Sequence, residues 1–270
     1  MYVPPGYRPA QARLLADLVT QAYRQYDAAS GEPWELPHPY ALVREIRVSA
    51  NPEAKGPDLS HWMGRLTGKT QETPAPLGFV ARQGRAVFVV FRGTKTPEEW
   101  VSNAKATLAP FPPTGGQVHS GFLAVFQSLK EVIGEAIRAA GGRDLWITGH
   151  SLGAALATLL AASLDGPGPR IQGVYLFGSP RVGDDPFVQA YNRRYARITY
   201  RISNTSDVVT SVPLPVPMFG SWGGYFSHVD TPVEFTRQED NVLRNHRMET
   251  YREEVFRPVP GFWTRWFPNA

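Results

Sequence analysis

The pentapeptide Gly149-His150-Ser151-Leu152-Gly153 constrains the fold of this chain more than any other feature. It spells G-x-S-x-G between two recognisable elements. Before it, Asp144-Leu145-Trp146-Ile147-Thr148 is a short apolar run that reads as a buried strand. After it, Leu152 to Leu164 is rich in Ala and Leu and reads as a helix. A strand that turns sharply into a helix around a serine is a nucleophile elbow, with the serine on a strained turn and its hydroxyl exposed above the sheet. Glycine has no Cβ, so Gly149 and Gly153 let strand and helix pass closely on either side. The plainer alternative is an ordinary βα turn in which Ser151 caps a helix.

The rest of the chain supplies a scaffold for such an elbow. Leu14, Leu15, Leu18, Val19, Ala22, Tyr23 and Tyr26 recur at helical spacing, which predicts an amphipathic helix over 9–29 that Ser30-Gly31 ends. Strands are expected over 40–48, 77–81 and 86–91, the last two joined at Gln83-Gly84 as a hairpin. Residues 49–76 hold several Pro and Gly with little periodicity and read as irregular. Phe122, Val125, Phe126, Leu129, Val132, Ile133, Ala136 and Ile137 line one face of a helix over 121–140, which Gly141-Gly142 stops. Further strands over 171–177 and 197–203 flank a short helix near 186–194. A Pro-, Gly- and aromatic-rich loop over 210–226 precedes a last strand at 232–236 and a last helix at 239–254. Strands alternate with helices from residue 86 onward, so the class is α/β, with a mostly parallel central sheet flanked by helices. At 270 residues without an obvious break, one domain spanning 1–270 is expected.

Composition narrows the function by exclusion. There is no cysteine, hence no disulfide framework and no thiol chemistry. The formal charge is +4, the basic residues are scattered along the sequence, and no nucleic-acid-binding motif is present. No run of 18 or more apolar residues exists, so no transmembrane segment is expected. Met1 to Gly6 lacks a basic stretch before an apolar core, so no signal peptide is expected within this chain, and the address is open between secreted and cytoplasmic. No His/Asp/Glu cluster has ligand spacing, so neither a metal nor another cofactor is expected.

A serine hydroxyl is a poor nucleophile at pH 7 and needs a general base, itself oriented by an acid. Where a G-x-S-x-G elbow is used, the acid and then the histidine follow the serine in chain order. Asp207 is the best-placed acid, a short turn after the expected strand ending at Ser203. Asp184 and Asp185 stand beside Pro186 and read as helix-start residues. Of the six histidines, His38, His61 and His119 precede the serine, and His150 is held in the elbow itself. His228 and His246 both follow Asp207, and chain order does not separate them.

At this point the residues resemble a known family, the class 3 lipases, the fungal-type triacylglycerol lipases related to those of Rhizomucor and Thermomyces. The resemblance runs from about residue 77 to 251. Its segments are Phe91-Arg92-Gly93-Thr94 with Trp100 and Asn103, Val118-His119-Ser120-Gly121-Phe122, Gly149 to Gly153 with Gly178-Ser179-Pro180-Arg181-Val182-Gly183, and Asp207-Val208-Val209 ahead of Pro213. It implies an α/β-hydrolase fold with Ser151 as nucleophile, Asp207 as acid and His246 as base. Asn245-His246 with Tyr251 is similar to the family's late histidine segment. His228-Val229 is similar to a non-catalytic element in which a glycine stands where this chain has Asp230. The same resemblance implies an oxyanion hole from Thr94 and the backbone N–H of Leu152, with Asn103 holding Thr94.

The resemblance further implies a lid, here about 95–113, with a charged start and apolar residues such as Trp100, Leu108 and Phe111. Such a segment would cover the site in water and open onto lipid. Residues 212–219 would line an acyl groove, and the aromatic run 262–267 is expected to pack on the core, with anchoring at a lipid interface as the second use. The expected activity is therefore serine carboxylic-ester hydrolysis, foremost of triacylglycerol at a lipid–water interface. The alternatives are an esterase for feruloyl or phospholipid esters, and a non-catalytic lipid-surface binding protein on the same fold.

Overall fold

The computed structural model describes residues 4–28, 34–48, 74–94, 107–213, 225–230 and 232–257. Its centre is a seven-stranded sheet made of β1 (Ala41–Val48), β2 (Ala75–Gln83), β3 (Ala86–Phe91), β6 (Asp144–His150), β7 (Arg170–Phe177), β8 (Thr199–Asn204) and β9 (Pro232–Phe235), adjacent in that order. The first three strands pair antiparallel and the remaining pairs are parallel. The central strands β3, β6 and β7 are almost wholly buried because helices cover both sheet faces.

Side-chain alternation along each strand divides the core in two. Val87, Val89 and Phe91 of β3 face one way with Leu145, Ile147, Val174 and Leu176. They pack against α2 (Ser120–Ala140), α3 (Leu152–Ser163) and α4 (Asp185–Tyr195). Phe88 and Val90 face the other way with Phe177, Ile202 and Val233, against α1 (Pro9–Ala28) and α6 (Met248–Phe256). The helix α3 differs from its neighbours. Every residue from Leu152 to Ala162 is buried, so it is apolar all round rather than amphipathic, and its alanines allow close approach to β3, β6 and β7.

Two elements differ from expectation. Residues 108–119, read in part as lid, contain a hairpin of β4 (Leu108–Phe111) and β5 (Gly116–His119). The expected last helix over 239–254 is broken into α5 (Val242–Asn245) and α6, with His246 and Arg247 in the break. Asn245 accounts for the interruption. Its Oδ1 accepts from Glu239 N–H at 2.7 Å and its Nδ2 donates to the Ser206 carbonyl at 3.0 Å, tying the turn to the loop that carries Asp207. Residues 95–106 of the expected lid, the loop over 214–219 and the aromatic run 262–267 lie outside the described residues.

Candidate active site

Parallel strands β3, β6 and β8 end at one edge of the sheet and are followed by Thr94, Ser151 and Asp207, while the break between α5 and α6 carries His246. Ser151 follows β6 directly and has φ 57°, ψ −125°, a left-handed conformation costly for a residue with a Cβ. The elbow accommodates it through missing side chains. A Cβ on Gly149 would overlap the Gly153 carbonyl, and a Cβ on Gly153 would lie 2.5 Å from the Arg92 carbonyl oxygen. The Ser151 N–H is bonded to the Phe177 carbonyl at 2.9 Å, which anchors the turn to β7.

Ser151 Oγ lies 2.7 Å from His246 Nε2, and His246 Nδ1 lies 2.6 Å from Asp207 Oδ2. A carboxylate accepts, so Nδ1 carries the imidazole proton and Nε2 is left to accept from the serine hydroxyl. Asp207 is 1 % exposed and accepts two further bonds, from Val209 N–H at 2.9 Å and from Tyr251 Oη at 2.5 Å. Tyr251 stays a phenol because burial, and then the Asp207 charge beside it, push its pKa well above the ordinary value. Of the two histidines that chain order left open, His246 is therefore the one that meets Ser151. His228 is turned elsewhere: its Nε2 donates to the Thr210 carbonyl at 2.7 Å. Burial, and then Arg201, lower its pKa to about 3.

The other candidates take structural places. Asp184 caps α4, accepting from Phe187 N–H at 2.9 Å, in keeping with its reading as a helix-start residue. His119 caps α2, accepting from Gly121 N–H at 3.1 Å. Asp230, where the resemblance implied a glycine, has φ 50°, a conformation that Asp tolerates better than most residues, and its N–H donates to Asn192 Oδ1 at 2.9 Å.

Opposite the elbow, the chain leaving β3 passes tightly against the serine. A Cβ on Gly93 would lie 2.7 Å from both Ser151 Cβ and Tyr23 Oη. Thr94 is buried beside it. Leu152 opens α3, where the first N–H groups of a helix have no preceding turn to bond and its dipole favours negative charge. Arg92 is fully buried. Its Nε donates to the Pro76 carbonyl at 2.7 Å, its Nη1 to the Gly93 carbonyl at 2.6 Å, and its guanidinium lies 3.9 Å from the Tyr26 ring centroid. Burial lowers its pKa to about 10. Sequence reasoning missed the contact between Tyr23 and His150, at 2.7 Å, and the bond from Tyr251 to Asp207. Among the described residues no group of three or more His, Asp or Glu is placed to hold a metal ion.

Comparison with known proteins gives this geometry its context. Residues 88–216 match the family model described as lipase (class 3). Phospholipase A(1) DAD1, chloroplastic, of Arabidopsis thaliana is 33 % identical over 207 residues, covering 64 % of this chain and 45 % of the relative. Galactolipase DONGLE, chloroplastic, of the same plant is 29 % identical over 254 residues, covering 78 % and 53 % respectively. The chain thus spans about half the length of the curated relatives it matches. Among solved structures, the Rhizomucor miehei triacylglyceride lipase superposes with a TM-score of 0.58 at 20 % identity, over 83 % of this chain and 79 % of that one. The fold is that of the α/β-hydrolase lipases, a mostly parallel sheet with helices on both faces. Residues 88–216 thus carry a class 3 lipase segment, and the chain shares its fold with the solved lipases.

Proposed function

We propose that this protein is a serine-dependent glycerolipid acyl-ester hydrolase. The observation that carries the proposal is the line of contacts Ser151 Oγ–His246 Nε2–His246 Nδ1–Asp207 Oδ2, at 2.7 and 2.6 Å. In this reading Ser151 Oγ attacks the ester carbonyl while its proton passes to His246 Nε2, and Asp207 stabilises the imidazolium. The tetrahedral oxyanion takes hydrogen bonds from Thr94 and the Leu152 N–H, each worth about 2.7–4 kcal/mol in such sites. The C–O bond to the alcohol then breaks, and the leaving oxygen receives the proton from His246. Water repeats the sequence on the acyl-serine: His246 takes its proton, the fatty acid departs and Ser151 regains its hydrogen. No metal or other cofactor takes part in these steps.

For the substrate we favour diacyl glycerolipids with polar heads, supported by the phospholipase A(1) and galactolipase names of the relatives at 29–33 % identity. Triacylglycerol, which the sequence resemblance implied, is the narrower second reading. We read residues 1–270 as one hydrolase unit, with the segment near 95–113 as its lid. The test is fatty-acid release from phosphatidylcholine vesicles, galactolipid dispersions and trioleoylglycerol emulsions, with Ser151→Ala beside each. The expected outcome is release from the polar lipids that the variant lacks. Release from trioleoylglycerol alone, jumping when droplets form, would replace the favoured substrate with the second reading. Binding to all three without release would leave a lipid-surface binding protein.

A further inference from the structure

A second chain of hydrogen bonds crosses the site without touching Ser151 Oγ. Gly93 N–H donates to Tyr23 Oη at 3.0 Å. Tyr23 Oη lies 2.7 Å from His150 Nδ1, and His150 Nε2 lies 2.8 Å from the carbonyl oxygen of His246. The protons in this chain can be assigned. A carbonyl oxygen only accepts, so His150 Nε2 carries a hydrogen. The ring is buried, and neither of these partners is a carboxylate, so it holds a single proton and Nδ1 accepts from the Tyr23 hydroxyl. Gly93 N–H then occupies a lone pair of the same phenolic oxygen. Every donor points one way, from Gly93 through Tyr23 and His150 to His246.

Three further observations converge on this chain. In a continuous helix Thr250 N–H would bond the His246 carbonyl, but here it bonds the Arg247 carbonyl at 3.0 Å. The break between α5 and α6 thus leaves the His246 carbonyl to His150. Gly93 is wedged at the first end of this chain, with no room for a Cβ between Ser151 and Tyr23. The two imidazole rings lie with centroids 4.7 Å apart and planes tilted by 32°, so a neutral ring lies beside the one that must gain a proton. Burial first, and the neighbouring His246 second, hold the His150 pKa well below the ordinary value.

We infer that Tyr23 and His150 are positioning residues that brace the Gly93–Thr94 strand end against the backbone of His246, setting the gap an ester carbonyl must enter. The inference rests on the ester-hydrolase reading given above. The brace joins four separate places, the end of β3, α1, the elbow and the α5–α6 break, so its loss shifts donors and base relative to each other rather than removing either.

The test uses the full chain, a soluble p-nitrophenyl butyrate assay and four variants: Tyr23→Phe, His150→Gln, their double, and Ser151→Ala. A displacement of about an ångström at an oxyanion donor is expected to lower kcat on the order of ten- to a hundredfold, with KM within about twofold. The double variant is expected to be no worse than the poorer single variant, since both break one connection. Wild-type kcat in Tyr23→Phe, a change confined to KM, or losses that multiply in the double variant would each overturn the brace. If Ser151→Ala is inactive while the brace variants match wild type, only this inference fails. If Ser151→Ala stays active, the ester-hydrolase reading fails instead. Nitrogen-15 NMR of histidine-labelled wild-type protein is independent of activity: His150 is expected with Nε2 protonated and Nδ1 bare, and the opposite tautomer would overturn the inference.

Discussion

Asp207 is buried, and three donors converge on its two oxygens: His246 Nδ1, Tyr251 Oη and Val209 N–H. Two substitutions separate its duties. Asp207→Asn keeps the shape but offers an amide donor to His246 Nδ1, which favours the wrong tautomer. The expected loss is roughly 10⁴-fold in kcat on a soluble ester. Tyr251→Phe removes one bond to a charged acceptor and is expected to cost about 1.5–3 kcal/mol in urea denaturation. A kcat within tenfold of wild type for Asp207→Asn would contradict the orienting role. At this scale the sequence points to Ser151 and Asp207, which the fold brings together through His246, because the elbow motif and the strand-then-turn position are local patterns. It does not disclose Tyr23 or the bond from Tyr251. Those depend on partners 127 and 44 residues away, brought together only by packing.

The elbow works as an element because β6 and α3 are nearly in backbone contact. Gly149→Ala would drive a Cβ into the Gly153 carbonyl, which is backbone and cannot swing away. Ala157, fully buried on α3, has no slack for a larger side chain. Ala157→Leu is expected to cost about 1–3 kcal/mol in urea unfolding. A variant as stable as wild type would show that α3 is not close-packed against the sheet. Most elements are legible from periodicity, including the amphipathic α1 and α2 and the wholly apolar β3. The β4–β5 hairpin is not, because Pro110, Pro112, Pro113, Thr114 and Gly115 read locally as loop. Nor is the break at His246, where Leu243, Met248 and Tyr251 continue a helical pattern while Asn245 is diverted to distant backbone.

At the scale of the whole molecule, the parallel sheet edge gathers residues from three strand ends, within the segment 88–216 that matches the class 3 lipases. Among the described residues, packing also buries His119 and His150 and partly buries His228, each as a neutral ring. Burial lowers the pKa of His119 to about 4 and of His228 to about 3, and holds that of His150 well below its ordinary value. In the unfolded chain each titrates near 6.5. Between those values the unfolded state binds more protons, so stability rises with pH and is lost as pH falls below about 6.5, by about 1.4 kcal/mol per unit per histidine. Urea midpoints measured from pH 7 to 4 should fall accordingly. His228→Gln, which keeps a donor toward Thr210, should reduce the slope by one histidine's share. A flat profile would contradict the buried neutral state. The sequence shows six histidines but not which of them the fold deprives of water, since that follows from tertiary packing.

The central claim is that Ser151 is a nucleophile activated by His246. Its most direct measurement is covalent capture with a fluorophosphonate, mapped by peptide mass spectrometry, on wild type and His246→Ala. The account predicts the label on Ser151 in wild type and a loss of labelling rate on the order of a thousandfold or more in the variant. A folded wild-type protein labelled elsewhere or not at all, or a His246→Ala variant labelled as fast as wild type, would contradict it.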